Sequence, residues 1–281
     1  MDRVPSTDPS FDPIAEPARA KLNLALHVRA RRPDGYHELE TLFAFVDLGD
    51  IVRIRPGNGF TVTGPFAGAL QGEGDNLVMR AAARFAERFG GGPWAIELEK
   101  HLPVASGIGG GSADAAATLR ALARLQGVTI DALYPIADAL GSDVPACLFG
   151  VTALGTGRGE RLDPIEGLAG QPVLMVNPGV GVSTAEVFRR WDGVDRGPIG
   201  GGGLLDRARA GRNDLEPPAR AIAPEIDAVL AALDALPGVI LARMSGSGAT
   251  CFALFDSIEA RHGAALAVAR PGWWVAETAL V

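Results

Sequence analysis

The glycine-rich run at 107–111, followed by Ser112 and an alanine-rich stretch, is the strongest chemical signal in the sequence. Successive glycines let backbone amides approach a phosphate, and a helix opening at Ser112 adds unpaired N–H groups and a positive dipole end. The dipole alone supplies about 0.3–1 kcal/mol, so several amides and a cation must supply the rest. No lysine follows these glycines as the GxxxxGK[ST] pattern requires, and Ser112 stands where GxGxxG needs its third glycine. Asp131 opens a helix instead of ending a second strand, as a dinucleotide site would need. The plain alternative for this run is a flexible turn before a helix.

Two further residues can do chemistry. The chain holds 26 basic residues, 24 arginines and two lysines, Lys21 and Lys100. A lysine kept at position 21 in so arginine-rich a chain suggests a site that needs a compact ammonium, which the broad guanidinium fork cannot replace. An ordinary solvated lysine is the competing reading, and Lys100 shows no comparable motif. Asp143 is a short carboxylate at an expected helix start, where it can either cap the helix or, partnered by a lysine, take a hydroxyl proton during phosphoryl transfer. The sequence has no GxSxG, HExxH, HRD or DFG motif, and His27, His37, His101 and His262 lack metal-ligand spacing.

The elements that must position these groups follow from periodicity. Residues 21–28 alternate, with Leu22, Leu24, Leu26 and Val28 on one face and Lys21, Asn23, Ala25 and His27 on the other, which predicts a strand with a polar face. A turn at Pro33-Asp34-Gly35 precedes apolar strand segments at 43–48 and 51–54. A helix capped by Asp75 or Asn76 and stopped by Gly90 carries the stripe Leu77, Ala81, Phe85 and Phe89. A strand at 94–99 leads through the glycine run into a helix ending near Gly127. Short helices follow around 133–140 and from 144. The second half reads as a strand at 173–176, a helix at 224–236, strands at 239–244 and 250–255 around the SGSG turn at 245–248, a helix at 258–269 and a strand at 273–277. The run at 197–203 reads as a flexible loop.

Composition bounds the class. With 37 glycines and 20 prolines in 281 residues the chain stays below low-complexity levels, and its length fits about two domains. We place a disordered tail at 1–17 and a domain boundary near 165, giving domains at 18–165 and 166–281. Mixed strands and helices imply α+β architecture. A net charge of −7 opposes binding to nucleic acid, and no apolar run approaches a membrane span. Cys147 and Cys251 read as core residues in a reducing, cytoplasmic setting, and the acidic, proline-containing N-terminus is not a secretory signal.

Taken together, AKLNLALHVRARRPDGYHELETLF (20–43), LPVASGIGGGSADAA (102–116), LGSDVPACLFG (140–150), RNDLEPPA (212–219) and MSGSGATCFALF (244–255) resemble the GHMP kinase superfamily. The resemblance implies an N-terminal ATP-binding domain and a C-terminal ferredoxin-like domain. It implies that Pro103, Val104, Ala105, Ser106, Gly107, Ile108, Gly109, Gly110, Gly111, Ser112 and Ala113 wrap the phosphates of ATP, with Mg²⁺ as its companion ion. Asp143 becomes the general base, and Lys21 polarises the reacting hydroxyl. The block containing RRPDGYHEL is similar to that of kinases phosphorylating the tertiary 2-hydroxyl of a cytidine diphosphate-linked methylerythritol on the non-mevalonate isoprenoid route. Asn23, Tyr36 and His37 would hold that substrate, the aromatic ring stacking on cytosine and the imidazole bonding its polar edge, with Thr184 and Phe188 in a substrate-facing segment. Ala105 and Ser106 replace glycines common in the family, and Ala113-Asp114 replaces Ser-Asn. The Asp114 charge would repel ATP unless it points away or addresses Mg²⁺. Homoserine or mevalonate kinase activity, or a nucleotide sensor without chemistry, are the alternatives.

Overall fold

The computed structural model describes residues 12–70 and 76–281. In chain order the strands are β1 (Ile14–Arg31), β2 (His37–Pro56), β3 (Gly59–Thr63), β4 (Trp94–Glu99), β5 (Ala153–Gly157), β6 (Arg161–Pro164), β7 (Pro172–Asn177), β8 (Val239–Met244), β9 (Cys251–Phe255) and β10 (Trp274–Ala279). The α-helices are α1 (Leu77–Phe89), α2 (Gly110–Gln126), α3 (Tyr134–Leu140), α4 (Val144–Phe149), α5 (Thr184–Arg189), α6 (Leu204–Ala210), α7 (Glu216–Ile222), α8 (Glu225–Asp234) and α9 (Ile258–Val268). Among the described residues two compact units are each assembled from separated stretches: 12–19, 49–70, 76–104 and 110–149 in the first, and 20–48, 105–109 and 150–281 in the second.

In the first unit β4 lies between β2 and β3, antiparallel to the former from Ile51↔Glu99 to Pro56↔Trp94 and parallel to the latter. Alternation turns Val52, Ile54, Ile96 and Leu98 inward. Asn76 caps α1 by accepting the Val78 N–H, Gly90 ends it, and Val78, Ala81, Ala82 and Phe85 form its buried stripe. Asp75, the other candidate cap, lies outside the described residues. Helix α2 packs against α1 and α4, and its run of alanines lets it be buried on nearly every side. Glu16 pairs with Arg120 and Arg124 of α2. These pairs anchor the start of β1, which therefore begins at Ile14, inside the segment whose prolines and acids suggested a disordered tail. Residues 1–11 of that segment lie outside the described residues.

The second unit holds a four-stranded antiparallel sheet in the order β10-β7-β9-β8. Helices intervene between β7 and β8, β8 and β9 form a hairpin, and α9 leads to β10. That connectivity is the expected ferredoxin-like arrangement. Helices α8 and α9 cover the sheet, burying Ile226, Val229, Leu233 and Val268 against Leu174, Val176, Cys251 and Phe255. Burial pushes the Cys251 thiol pKa well above its ordinary value, as a packed core cysteine requires. The β5–β6 hairpin adds to β2 at Leu39–Phe43. Position 155 must be glycine there, because a Cβ would sit 2.6 Å from the Phe43 ring.

The face of β1 that alternation marks as polar is not solvated: Lys21, Asn23 and His27 are all less than 5% exposed. Each has partners within the second unit. His27 Nε2 accepts the Arg212 N–H, and Nδ1 lies 3.0 Å from the Gly197 carbonyl. Burial lowers its pKa, so the neutral ring with its proton on Nδ1 fits both contacts. This contact, with Ile199 N–H donating to Glu40, ties down the glycine-rich stretch at 197–203 that composition reads as a free loop.

Arg243 of β8 donates to the carbonyls of Leu24, Ala208 and Gly211, joining β1 to the end of α6. Arg243→Ala leaves those carbonyls short of donors, each worth about 1–3 kcal/mol. Chemical denaturation should show a loss of about 3 kcal/mol or more; a loss under about 1 kcal/mol would contradict the bridging role.

Candidate active site

Among the candidate residues, Lys21 is held by several contacts. Its Nζ donates to Asn23 Oδ1 at 2.6 Å and reaches the Gly107 carbonyl at 3.5 Å. Asn23 in turn donates through Nδ2 to Thr41 Oγ1 at 2.8 Å, and Thr41 donates to the Ala25 carbonyl. The amide of Asn23, expected to meet substrate, thus spends both of its ends orienting the ammonium. The aliphatic stem of Lys21 lies against Gly109, where a Cβ would fall 2.7 Å from Lys21 Cγ. A Cβ on Gly246 would lie 3.4 Å from Nζ. The lysine therefore occupies a slot between two glycine backbones.

The glycine-rich segment is shaped by these contacts. Gly107 and Gly109 adopt φ +79° and +69°, conformations suited to glycine, and Ala105 shares the left-handed region at φ 52°. A Cβ on Gly107 would lie 2.6 Å from the carbonyl oxygens of Ser245 and Gly248. Ile108 is fully buried and its carbonyl accepts the Lys21 N–H, so this segment is anchored rather than loose. Ser245 Oγ donates to the Gly107 carbonyl, and the Thr250 N–H donates to the Ser106 carbonyl. The chain then enters α2 at Gly110, with Gly111, Ser112 and Ala113 in its first turn; Pro103 and Val104 precede the segment. Backbone in the left-handed region running directly into a 17-residue helix is the geometry that presents amides to a phosphate. The residues present fit the phosphates of ATP.

In the first unit Asp143 stands immediately before α4, and its carbonyl accepts the Cys147 N–H at 3.0 Å. Asp114 does not face outward from the helix start. It accepts from Lys100 Nζ at 2.8 Å, and Lys100 also donates to Asp50. Lys100, the lysine without a motif, is thus the centre of a buried ionic triad.

In the second unit an aromatic cluster surrounds His37. Its ring lies 4.8 Å from Phe188 and 5.7 Å, edge-on, from Trp191. His37 Nε2 is buried and has no hydrogen-bond partner among the described residues. Tyr36 is half exposed, with the Arg158 guanidinium 4.9 Å over its ring. Thr184 Oγ1 lies 2.9 Å from Ser247 Oγ, tying the start of α5 to the SGSG turn. Asn213 donates to the carbonyls of Met244 and Gly246 and fixes that turn from the other side. Trp191, Thr41, Asn213 and Arg158 border these candidate groups without having been named from the sequence, whereas Ser245 and Ser247 belong to the SGSG turn read there between two strands. Thr41, Asn213 and the two serines sit in the blocks quoted at 20–43, 212–219 and 244–255; Trp191 and Arg158 have no local signal, since their placement arises from tertiary packing.

The model of the GHMP kinases N terminal domain matches residues 76–151, and that of the GHMP kinases C terminal domain matches 202–272. The 4-diphosphocytidyl-2-C-methyl-D-erythritol kinase of Rhizorhabdus wittichii is 55% identical over 277 residues, covering 95% of this chain and 94% of that one. The kinase of the same name from Novosphingobium aromaticivorans is 51% identical over 270 residues, covering 95% and 93%. A crystal structure of 4-(cytidine 5'-diphospho)-2C-methyl-D-erythritol kinase aligns with a TM-score of 0.76 at 37% identity, over 95% of this chain and 99% of that chain.

Burial, with the nearby Arg31 charge, lowers the His37 pKa below its ordinary 6.5. A folded pKa depressed for a base means that the unfolded chain binds protons first as pH falls, so the stability His37 contributes is present above 6.5 and is lost on acidification below it. An NMR titration of the His37 ring should give a midpoint below 6.5; a midpoint at or above 7 would contradict the buried, neutral imidazole.

Proposed function

The chain belongs to the GHMP kinases, with 4-diphosphocytidyl-2-C-methyl-D-erythritol kinases as its similar relatives, and on that premise we propose that it transfers the γ-phosphoryl group of ATP to the 2-hydroxyl of 4-diphosphocytidyl-2-C-methyl-D-erythritol. One observation carries the choice of substrate: a neutral imidazole with an unpartnered, buried Nε2, packed on Phe188 and Trp191 next to the half-exposed Tyr36. Such a group suits the polar edge of a nucleobase, with aromatic rings for its faces. Homoserine and mevalonate have no such base to offer it.

In this reading the left-handed backbone of the glycine-rich segment and the first turn of α2 receive the phosphates of ATP. ATP supplies the phosphoryl group, and Mg²⁺ accompanying its phosphates neutralises charge on their oxygens. Lys21 lowers the cost of negative charge at the reacting hydroxyl, and Asn23, Thr41 and the Gly107 carbonyl keep its ammonium in one place. Asp143 accepts the hydroxyl proton. Positioning and electrostatics then do most of the work, as the loose transition state of phosphoryl transfer requires. We further propose that the protein acts in the cytoplasm; no helix among the described residues is long and apolar enough to cross a membrane.

A coupled assay of the purified protein should show ATP consumption with the cytidylylated substrate and none above background with homoserine or mevalonate; the reverse preference would refute the substrate assignment while leaving the fold. Asp143→Asn should lower kcat by about 10²–10⁴ with the KM for ATP within a few-fold, and an unchanged kcat would remove Asp143 as the base.

A further inference from the structure

The triad of Asp50, Lys100 and Asp114 is not used by the chemistry above. All three residues are at least 97% buried. Lys100 Nζ donates to Asp50 Oδ2 and, at 2.8 Å, to Asp114 Oδ2. Asp50 Oδ1 also accepts the N–H groups of His101 and Leu102 at 2.6 and 2.8 Å, so this carboxylate is fully supplied with donors. Asp114 is not: its Oδ1 is buried without a hydrogen-bond partner among the described residues. One ammonium faces two carboxylates, and a buried charge left over would be expensive.

The triad lies against the start of α2. A Cβ on Gly110 would fall 3.2 Å from Lys100 Nζ and 3.8 Å from Asp50 Oδ2, so the helix begins in close contact with the charges, and a side chain there would need the lysine head to give by a few tenths of an ångström. The buried residues of α1, α3 and α4, which pack on α2, are apolar apart from the Cys147 thiol. Among the described residues, Lys100 and Asp50 are therefore the charges that govern Asp114.

We infer that Asp114 carries a proton when ATP phosphates sit at the first turn of α2, making the triad electrically neutral beneath them, and that nucleotide binding draws this proton from solvent. The inference rests on the proposed phosphate site. It answers why an acidic residue is tolerated five positions into a phosphate-facing helix. Burial, with the Asp50 charge and against the pull of Lys100, raises the Asp114 pKa to about 8. With the proton, the triad holds one ammonium, one carboxylate and one carboxylic acid. Without it, the net charge is −1 and repels the phosphates, and phosphates in turn raise the proton affinity of Asp114.

Calorimetric titration with the β,γ-imido analogue of ATP and Mg²⁺ at pH 8, in two buffers of different ionisation enthalpy, reads this directly. A further rise of about one unit on binding, the size a nearby like charge produces, corresponds to uptake of about 0.4 proton and to about five-fold weaker binding at pH 9 than at pH 7. Asp114→Asn, which keeps an acceptor for Lys100 but cannot titrate, should lose that uptake and flatten the pH dependence. Equal uptake in wild type and variant would overturn the inference. Infrared difference spectra of the wild type need no variant: a gained protonated-carboxyl band on binding supports it, and no gain overturns it. Hydrogen exchange separates the two levels. Absence of protection at 107–113 by the analogue would overturn the phosphate site and this inference together, whereas protection without proton uptake would overturn this inference alone.

Discussion

An ammonium held 2.6 Å from an amide oxygen, in a slot walled by the bare backbones of Gly109 and Gly246, is the constraint around which the second unit is organised. The slot explains several residue types at once. Asn23 must be an amide, because it accepts from Lys21 and donates to Thr41. Gly109 and Gly246 must lack side chains, because one would collide with the lysine stem and the other with the groups around its head. The Gly107 carbonyl faces both Lys21 and the Ser245 hydroxyl, so the glycine-rich segment and the SGSG turn are fixed relative to the same atom. A catalytic cation gains from such framing because no reorganisation is required when charge develops on the substrate.

The two lysines of an arginine-rich chain share a physical reason. Both ammonium groups are buried, at 4% and 2% exposure, and each works at a point of close backbone approach. Near Gly110, as near Gly109 and Gly246, a planar guanidinium would need room that the neighbouring backbone occupies. The arginines serve where width is an advantage: Arg243 spans three carbonyls, and the Arg158 guanidinium sits over the Tyr36 ring.

Strong periodicity and capping made much of the fold readable. The alternation at β4 and the Asn76 and Gly90 signals of α1 located those elements, and the SGSG turn between β8 and β9 announced itself by its small residues. Elements without such signals were hidden. Strand β5 is ALGTG, two glycines in five residues, one of them imposed by the Phe43 ring; β3 is short and glycine-flanked; α7 opens on a proline pair that resembles a breaker. The compact units are built from interleaved stretches of chain, which no local composition marks. Among the candidate residues, Lys21, the glycine run and Asp143 stood out because the signals that mark them are local. Thr41, Trp191 and the Asp50–Lys100–Asp114 triad did not, because each acquires meaning only from partners distant in sequence. The alternation of β1 correctly separated two faces, but burial of both required partners for Lys21, Asn23 and His27 that pattern alone cannot supply.

On the proposed function, the position of a compact charge at Lys21, and not positive charge alone, sustains phosphoryl transfer. The most direct measurement is single-turnover phosphorylation by Lys21→Arg, with the thermal midpoint recorded in parallel. The account predicts a rate lower by about 10²-fold or more, as a small misplacement of a positioning group produces, in a protein that remains folded. A rate equal to that of the wild type would contradict it.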